Sequence, residues 1–291
     1  MKATYGMLLG LLLLGCDDPL KSVELVREPR VLGARVEVEG DAGRAAPAPG
    51  ETATVSFLLA APALDTPLGF ALAACPAEPR RGGRSGCAGE PFAQVLEASG
   101  ELASLQFTVP DSLDPAGRVL VLGIVCPEGA PSADGLSCDG PDPGTPVTLE
   151  LELARDDDAN QNPELEPETI AFDGEPWPHV AAIDGDCRGL GLPEVEAGST
   201  HRLDVALSEA DRDPLLRASR LDPARESLQL SRFATDGDLS RAFESIAWDS
   251  RELLRSVTWK APSRSGFVRF WLILRDFRGG GAFAERSVCV R

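Results

Sequence analysis

Aromatic, histidine and lysine residues are scarce in this 291-residue chain. Aromatic side chains make up only 5% of it, and its single tyrosine, Tyr5, lies close to the N-terminus. Glycine (29 residues) and proline (24 residues) are instead abundant. This composition disfavours a helical bundle and suits short strands joined by turns. The hydrophobic fraction of 43% is still enough for real cores.

The sequence also lacks the short motifs that mark common enzymes and zinc sites. It has no Gly-x-Ser-x-Gly, no His-Glu-x-x-His and no glycine-rich phosphate loop. It has no Cys-x-x-Cys and only two histidines, His179 and His201, which disfavours zinc. We expect both histidines to be exposed or hydrogen-bonded. The sequence therefore predicts no catalytic residues and a protein that is not an enzyme.

Positive charge is the other deficit, since the formal net charge is −18. Between residues 134 and 186 there are fifteen acids and one base, a local charge of −14. From residue 212 to the C-terminus there are fifteen bases and ten acids, a local charge of +5. Nucleic-acid binding depends on neutralising phosphates with Lys and Arg. We therefore exclude nucleic acid as a partner.

The N-terminus has the pattern of a bacterial export signal. Lys2 precedes a short apolar run that ends in Leu13-Leu14-Gly15-Cys16, which resembles a lipobox. The resemblance implies cleavage before Cys16, a diacylglycerol on its thiol and a further acyl chain such as palmitate on the new amine. The apolar run is far shorter than the ~20 residues that a membrane-spanning helix needs.

These features predict the organisation and location of the chain. We expect a protein of the bacterial cell envelope, attached to a membrane through its N-terminal lipid, with the choice of inner or outer membrane left open. The predicted segments are a signal peptide (1–15), a lipidated tether (16–30), a first β-sandwich domain (31–155), an acidic linker (156–167) and a second domain (168–291).

Short apolar stretches recur through the first domain with turns between them. Leu32, Ala34, Val36 and Val38 alternate with charged or small residues, which predicts a half-buried strand. Val119–Val125 is continuously apolar, which predicts a strand buried on both faces. Six or seven such stretches over roughly 125 residues are typical of an antiparallel β-sandwich.

Four cysteines of the first domain predict two disulfides, because an exported chain with an even number of cysteines favours pairing. Cys75 and Cys126 each end an apolar run, and each is followed twelve positions later by another cysteine. We favour Cys75–Cys87 and Cys126–Cys138, each stapling a Gly/Pro-rich loop. Cys75–Cys126 with Cys87–Cys138 is the alternative if the two strands lie side by side.

The last two cysteines predict a bridge within the second domain. Cys289 alternates with Val288 and Val290 in the final predicted strand. If the valines face the core, the Cys289 thiol points outward. A bridge to Cys187 would then tie down the C-terminal strand from outside the core.

Three motifs of the second domain occur in the order found in one branch of the immunoglobulin-like sandwiches. They are residues 208–215 with Asp-Arg-Asp-Pro-Leu, residues 257–262 with Val-Thr-Trp-Lys-Ala-Pro, and residues 272–280 ending in Arg-Asp-Phe-Arg-Gly-Gly. This set, which covers about 90 residues, resembles bacterial cadherin-like and PKD-like domains. It implies an immunoglobulin-like sandwich for the second domain. Together with the strand spacing of the first domain, this predicts an all-β chain with two tandem antiparallel immunoglobulin-like β-sandwiches. We expect Trp259 and Trp271 to be core residues.

The linker contains the one cluster with the chemistry of a calcium site. Asp156, Asp158 and Asn160 have the i, i+2, i+4 spacing that lets oxygens converge on Ca²⁺. Asp158, Asn160 and Asn162 also match the cadherin linker Asp-x-Asn-Asp-Asn. The acids that could complete such a site are Asp184, Asp186, Asp211 and Asp213. The alternative is a hydrated acidic hinge without an ion.

Together these features predict a non-catalytic, lipid-anchored envelope protein. We expect a structural, adhesive or ligand-binding module of two domains that contacts an envelope protein or a glycan. The alternative is a carbohydrate-binding accessory or a hydrolytic enzyme of the cell envelope. Beyond calcium, no cofactor is expected.

Overall fold

The computed structural model describes most of the chain from residue 22 onward. The described residues are 22–62, 68–78, 85–100, 102–154, 160–179, 187, 189–208 and 225–291. Within them lie twenty β-strands and one short 3-10 helix, Pro167–Thr169. None of these residues forms a helix long and apolar enough to span a membrane. Cys16 and the predicted signal peptide lie outside the described residues, so export and lipidation stay predictions.

Ten strands belong to the first domain. They are β1 (Arg30–Val38), β2 (Thr52–Ala60), β3 (Leu68–Glu78), β4 (Gly86–Cys87), β5 (Ala93–Gly100), β6 (Ala103–Thr108), β7 (Arg118–Cys126), β8 (Ala130–Pro131), β9 (Cys138–Asp139) and β10 (Thr145–Glu152). One sheet has the order β1-β2-β6, and the facing sheet has the order β10-β7-β3 with β4 and β5 both paired to β3. A small β8-β9 ribbon lies in the loop after β7.

Alternating side chains build the core of the first sandwich. Val55, Phe57 and Leu59 of β2 face inward, while the residues between them are half-buried. Val121 and Val125 of β7 meet them from the facing sheet. The two-residue period of a strand places every second side chain on the same face, so the alternation in the sequence becomes the inner face of the sheet.

One residue of β1 departs from its predicted position. We expected Leu32 on the same face as Ala34 and Val36. The pairing of β1 with β2 shifts register between Val31 and Gly33, which marks a bulge. A bulge inserts an extra residue and so changes the face to which the next side chains point. Leu32 therefore leaves the core of its own sandwich and packs against the second domain.

Ten further strands form the second domain. They are β11 (Ile170–Phe172), β12 (Glu175–Pro176), β13 (Glu194–Val195), β14 (Thr200–Ala206), β15 (Leu228–Ala234), β16 (Asp238–Leu239), β17 (Phe243–Ile246), β18 (Leu254–Lys260), β19 (Gly266–Arg275) and β20 (Gly281–Val290). The two sheets have the orders β12-β11-β14-β18-β16 and β13-β20-β19-β15-β17. Trp259 of β18 is fully buried in the core between them.

Both domains have the strand order of an immunoglobulin-like sandwich. In each, the first, second and fifth long strands form one sheet, and the third, sixth and seventh form the other with an extra edge strand. In the second domain the short β13 pairs in parallel with the last strand, and all other pairings between strands are antiparallel. The predicted fold class, two tandem antiparallel immunoglobulin-like sandwiches, is confirmed.

Two details of the predicted secondary structure were wrong or missing. Residues 237–246 contain β16 and β17, which the sequence did not predict. In β17 only Ile246 is buried, so the inward-facing side of this edge strand is too short to produce a clear alternation. β5 was not predicted, because it is an edge strand whose residues are largely exposed or half-buried.

The three favoured disulfides are present. They are Cys75–Cys87, Cys126–Cys138 and Cys187–Cys289, with Cα–Cα distances of 5.5, 5.7 and 5.5 Å. Val288 and Val290 face the core of the second sandwich, whereas Cys289 packs with Cys187 and Leu192 in a separate cluster. The third bridge therefore lies outside the core, as the alternation predicted.

Candidate functional site

The outer faces of the two sandwiches pack against each other through a buried apolar cluster, here called the domain junction. Its members come from β1, β2, β15, β19 and the segment before β1: Val26, Leu32, Ala60, Phe233, Trp271 and Ile273. Trp271 is fully buried here, between the domains and not within one core. The Arg269 guanidinium lies 4.9 Å above the Trp271 ring and donates to the Ala61 carbonyl at 2.9 Å. The two domains are therefore in direct contact through this cluster.

The segment before β1 is part of this junction. The Val26 amide donates to the Ala234 carbonyl at 2.8 Å, and Leu25 forms a parallel bridge with Ala234. Val26 itself is fully buried. The prediction of a polar tether reaching residue 30 was therefore wrong for its last part, because an apolar side chain within it finds a buried site on the second domain.

Asn162 connects the domains through both polar atoms of its amide. Its Nδ2 donates to the Val36 carbonyl at 2.6 Å, and its Oδ1 accepts from the Gly281 amide at 3.0 Å. A Cβ at Gly281 would lie 2.7 Å from the Ala34 carbonyl oxygen, so this close approach requires glycine. Asn162 is buried and its amide is committed to protein groups. It does not fit the predicted role of a calcium ligand.

Asn160 holds the loop between β19 and β20. Its Nδ2 donates to Asp276 Oδ2 at 2.7 Å, and both residues are buried. The other Asp276 oxygen accepts from the amides of Arg278 and Gly280 at 2.7 and 2.8 Å. Burial raises the pKa of Asp276, and these hydrogen bonds oppose the rise. The predicted acidic linker thus contains two buried asparagines that fix the junction.

Six of the other predicted calcium ligands lie outside the described residues. They are Asp156, Asp158, Asp184, Asp186, Asp211 and Asp213. Within the described ranges, no group of three or more His, Cys, Asp or Glu side chains could hold a metal ion. Calcium binding stays a prediction from sequence spacing, and it now lacks Asn162.

A cleft of about 460 Å³ opens beside the domain junction. Residues 30–34 of β1 and 145–149 of β10 line two of its sides, and residues 275–277 of the β19–β20 loop line another. In the described sheets, β1 and β10 are edge strands, each paired on one side only. The cleft therefore lies where both sheets of the first sandwich present a free edge to the second domain. Such domain interfaces are common ligand sites.

The cleft is cationic and apolar although the chain is acidic overall. Arg30 and Arg275 line it, and Arg275 donates to the Leu32 carbonyl. Burial lowers the pKa of Arg275. The Arg30 guanidinium lies 4.9 Å from the centroid of the Phe233 ring. Phe277, at the tip of the loop, is 69% exposed.

The chemistry of the cleft suits binding. Thr145 and Thr148 supply the hydroxyl groups among its described lining residues, which include no serine, cysteine or histidine. The Asp276 carboxylate is occupied by Asn160 and two backbone amides. The lining thus offers guanidinium donors, free strand edges and an exposed aromatic ring, without a paired nucleophile and base.

A serine, a histidine and an aspartate form a hydrogen-bonded chain elsewhere in the second domain. Ser199 Oγ lies 2.6 Å from His201 Nε2, and His201 Nδ1 lies 2.7 Å from Asp173 Oδ2. The other Asp173 oxygen accepts from the Arg202 amide at 2.7 Å. These bonds lower the pKa of Asp173 against the effect of its burial, which acts in the opposite direction. The His201 ring stacks on Phe172 at 5.1 Å.

This chain has the connectivity of a hydrolase triad but not its surroundings. The Ser199 hydroxyl also donates to the Glu196 carbonyl, which competes with donation to His201. The amides of Ala197, Gly198 and Ser199 all donate to backbone carbonyls, so they are not free to stabilise an oxyanion. The arrangement clamps the turn before β14. His201 is hydrogen-bonded as predicted, and His179 Nδ1 donates to the Glu285 carbonyl at 3.1 Å.

Sequence reasoning missed the cleft and the hydrogen-bonded chain for different reasons. Phe277 was visible as a bulky apolar residue in a Gly-rich hairpin loop, which is an unusual place for one. Ser199 and His201 are two positions apart and so share a face of one strand. Asp173 could not be found, because it is distant in sequence and is brought close only by the pairing of β11 with β14.

Comparisons with known proteins do not assign a family. No protein-family model and no curated protein matches this sequence. Among solved structures, Escherichia coli alpha-2-macroglobulin activated by porcine elastase matches at 10% identity and a TM-score of 0.26, over 90% of this chain and 22% of that one. The fibronectin(III)-like modules of Clostridium thermocellum CbhA match at 10% identity and a TM-score of 0.23, over 88% and 92% of the two chains.

A Salmonella alpha-2-macroglobulin mutant is similar at 11% identity and a TM-score of 0.23, over 90% of this chain and 16% of that one. This chain thus spans less than a quarter of the alpha-2-macroglobulins it matches. TM-scores this low carry no functional information, and the fold assignment rests on the strand order described above.

Proposed function

We propose that this chain is a lipid-anchored, non-catalytic protein of the bacterial envelope, whose two sandwiches act as one structural, adhesive or ligand-binding module. Cys16 would carry the lipid that holds it at a membrane. The cleft beside the domain junction would contact the partner, an envelope protein or a glycan.

The observation that carries this proposal is the domain junction. An apolar cluster with a fully buried Trp271 and the paired amide of Asn162 resist sliding or hinging of one domain on the other. A cleft between two domains binds with less loss of entropy when its walls are fixed before the ligand arrives. A fixed cleft with free strand edges and an exposed Phe277 supports recognition of a partner.

The alternative function, a carbohydrate-binding accessory or a hydrolytic enzyme, is favoured by one observation, the Ser199–His201–Asp173 chain. Two observations disfavour hydrolysis. The backbone amides of residues 197–199 are already hydrogen-bonded, and the Ser199 hydroxyl donates to the Glu196 carbonyl in competition with His201. A fluorophosphonate probe distinguishes the two functions. Labelling of the wild type that is lost in Ser199→Ala would favour the hydrolase, whereas we expect no labelling.

The proposal is tested by a photo-crosslinking amino acid placed at Phe277 in the cleft, with Glu90 on a remote exposed loop as the matched position. In intact cells we expect one discrete adduct from position 277 and none from position 90. Cys16→Ser should release the protein from membranes or leave its leader uncut, and the adduct should then weaken. Equal crosslinking at both positions, or membrane partitioning unchanged by Cys16→Ser, would contradict the proposal.

A further inference from the structure

Arg232 is an arginine whose side chain points into the second sandwich. Leu230 and Ala234, its neighbours two positions away on β15, belong to the core of that domain. Arg232 therefore lies on the inward face, and its side chain is fully buried. Two of its three guanidinium nitrogens, Nε and Nη1, have no hydrogen-bond acceptor among the described residues. A buried charged donor without an acceptor is strongly unfavourable.

A single carboxylate forms ion pairs with this arginine and with two others. Glu244 of β17 lies 3.3 Å from Arg232 Nη2, 3.4 Å from Arg241 Nη1 and 3.4 Å from Arg255 Nη1. These distances exceed the ~2.7–2.9 Å of a tight guanidinium–carboxylate bond. Arg255 also has a buried Nε without an acceptor, although its Nη2 donates to Ser250 Oγ at 2.9 Å. Glu244 is thus shared loosely and satisfies none of the three fully.

The charges of this arginine cluster (Arg232, Arg241 and Arg255 with Glu244) do not balance. Three guanidinium groups and one carboxylate leave two positive charges. Burial lowers the pKa of Arg232, and the neighbouring Arg241 and Arg255 lower it further. Among the described residues, Glu244 is the carboxylate that opposes this effect. The cluster runs from the interior to the surface, because the Arg241 side chain is 63% exposed while that of Arg255 is 11% exposed.

We infer that the arginine cluster binds a doubly charged oxyanion, phosphate or sulfate, with Arg232 and Arg255 as the buried donors and Arg241 at the rim. Guanidinium groups donate parallel pairs of hydrogen bonds to such oxygens. An oxyanion carrying about two negative charges near neutral pH neutralises the excess of the cluster. This site lies in the second domain and does not depend on the cleft or on the proposed function.

The test measures binding of inorganic phosphate and sulfate to the full chain by calorimetry and by thermal shift, with chloride at matched ionic strength as the reference. Arg232→Met and Arg255→Met remove the buried donors. Arg264→Ala is the matched control, since it removes one positive charge from a side chain that is 81% exposed and paired with Asp236. We expect saturable binding that both methionine variants weaken by at least about tenfold and that Arg264→Ala leaves unchanged.

A second readout keeps the test valid if a variant changes stability. Arg232→Met removes a buried guanidinium with two unsatisfied nitrogens. It leaves no uncompensated buried charge, because Glu244 keeps Arg241 and Arg255 as ion-pair partners. In phosphate-free buffer Arg232→Met should therefore melt at or above the wild-type temperature. In phosphate the order should reverse, because only the wild type gains from the ligand. The same phosphate gain in wild type and Arg232→Met would overturn the proposal.

The alternative is that carboxylates of the chain itself, and not a free oxyanion, accept hydrogen bonds from the arginine cluster. Residues 209–224 lie outside the described residues and contain Glu209, Asp211, Asp213 and Asp222. If the wild type binds neither anion, but the variant with these four acids changed to their amides does, then a carboxylate of the chain fills the cluster and the free-oxyanion proposal is wrong. Absence of binding in both proteins would also overturn it.

Discussion

β7 and β19 each contain a long apolar run, but their outer faces are covered to different extents. Both lie inside a five-stranded sheet of their domain and face its core with alternate side chains. The outer face of β19 carries Trp271 and Ile273, which the first domain covers completely. The outer face of β7 is covered only at its ends, and Leu122 in its middle lines an open groove of about 510 Å³.

Different parts of the chain cover the two outer faces: a disulfide-stapled loop covers part of β7, and the first domain covers β19. Ile124 and Cys126 of β7 are buried beneath the loop stapled by the Cys126–Cys138 bridge. Between the stapled loops the groove stays open, and Leu136 at its rim is 78% exposed. A continuous apolar run therefore predicts that a strand has two covered faces. It does not predict whether a loop or another domain supplies the second cover.

The largest loss of stability is expected when a buried side chain on the outer face of β19 is removed. Trp271→Ala should cost ~3–5 kcal/mol, because it removes a fully buried indole from the domain junction. Leu122→Ala, at the matching strand of the first domain, should cost only about 1 kcal/mol. Denaturant unfolding followed by circular dichroism measures both. Equal losses for the two variants would show that the junction contributes no more than the open groove.

The next largest loss of stability is expected when the Cys126–Cys138 disulfide, which holds a loop over β7, is removed. Cys126→Ser with Cys138→Ser should cost about 3 kcal/mol in the chain-entropy model, given a loop of this length. It should also uncover Ile124 and increase binding of a hydrophobic dye. The control pair, Cys187→Ser with Cys289→Ser, lies outside both apolar faces and should leave hydrogen exchange of β7 unchanged. Dye binding that rises equally in both double variants would contradict the assigned cover.

Much of each sandwich could be predicted from the sequence, but the contact between them could not. Alternation located β1, the continuous apolar run located β7, and the twelve-residue spacing located both stapled loops. Leu32 was placed on the wrong face because a one-residue bulge leaves no mark in an apolar pattern. The role of Asn160 and Asn162 was hidden for another reason. Polar residues in an acidic segment indicate solvent or metal, and only the fold brings them against Asp276 and Gly281.

A smaller effect is expected at the polar part of the domain junction. Asn160→Asp replaces the donor to Asp276 by a second carboxylate, so two buried acids would face each other. We expect a loss of about 1–3 kcal/mol at neutral pH, and part of it should be recovered in acid as one carboxyl group is protonated. Asn160→Ser, which can still donate, is the control. An Asn160→Asp variant as stable as Asn160→Ser would show that this contact is not formed.

The smallest effect is the pH dependence of the wild type. Burial raises the pKa of Asp276 in the folded chain above its unfolded value. The folded chain therefore binds this proton first, so Asp276 adds stability as the pH falls through the window between the two values and removes it as the pH rises. Asp276→Asn should flatten this part of the stability profile. A slope that is unchanged in the variant would assign it to other carboxyl groups.

The most direct test of the account is the distance between the two domains in solution. Spin labels on non-natural residues at exposed Ser112 in the first domain and exposed Arg251 in the second report this distance by pulsed electron resonance. A fixed domain junction predicts one narrow distribution that broadens in Trp271→Ala. A broad distribution in the wild type, unaffected by Trp271→Ala, would mean that the two sandwiches move independently and that the cleft is not a fixed site.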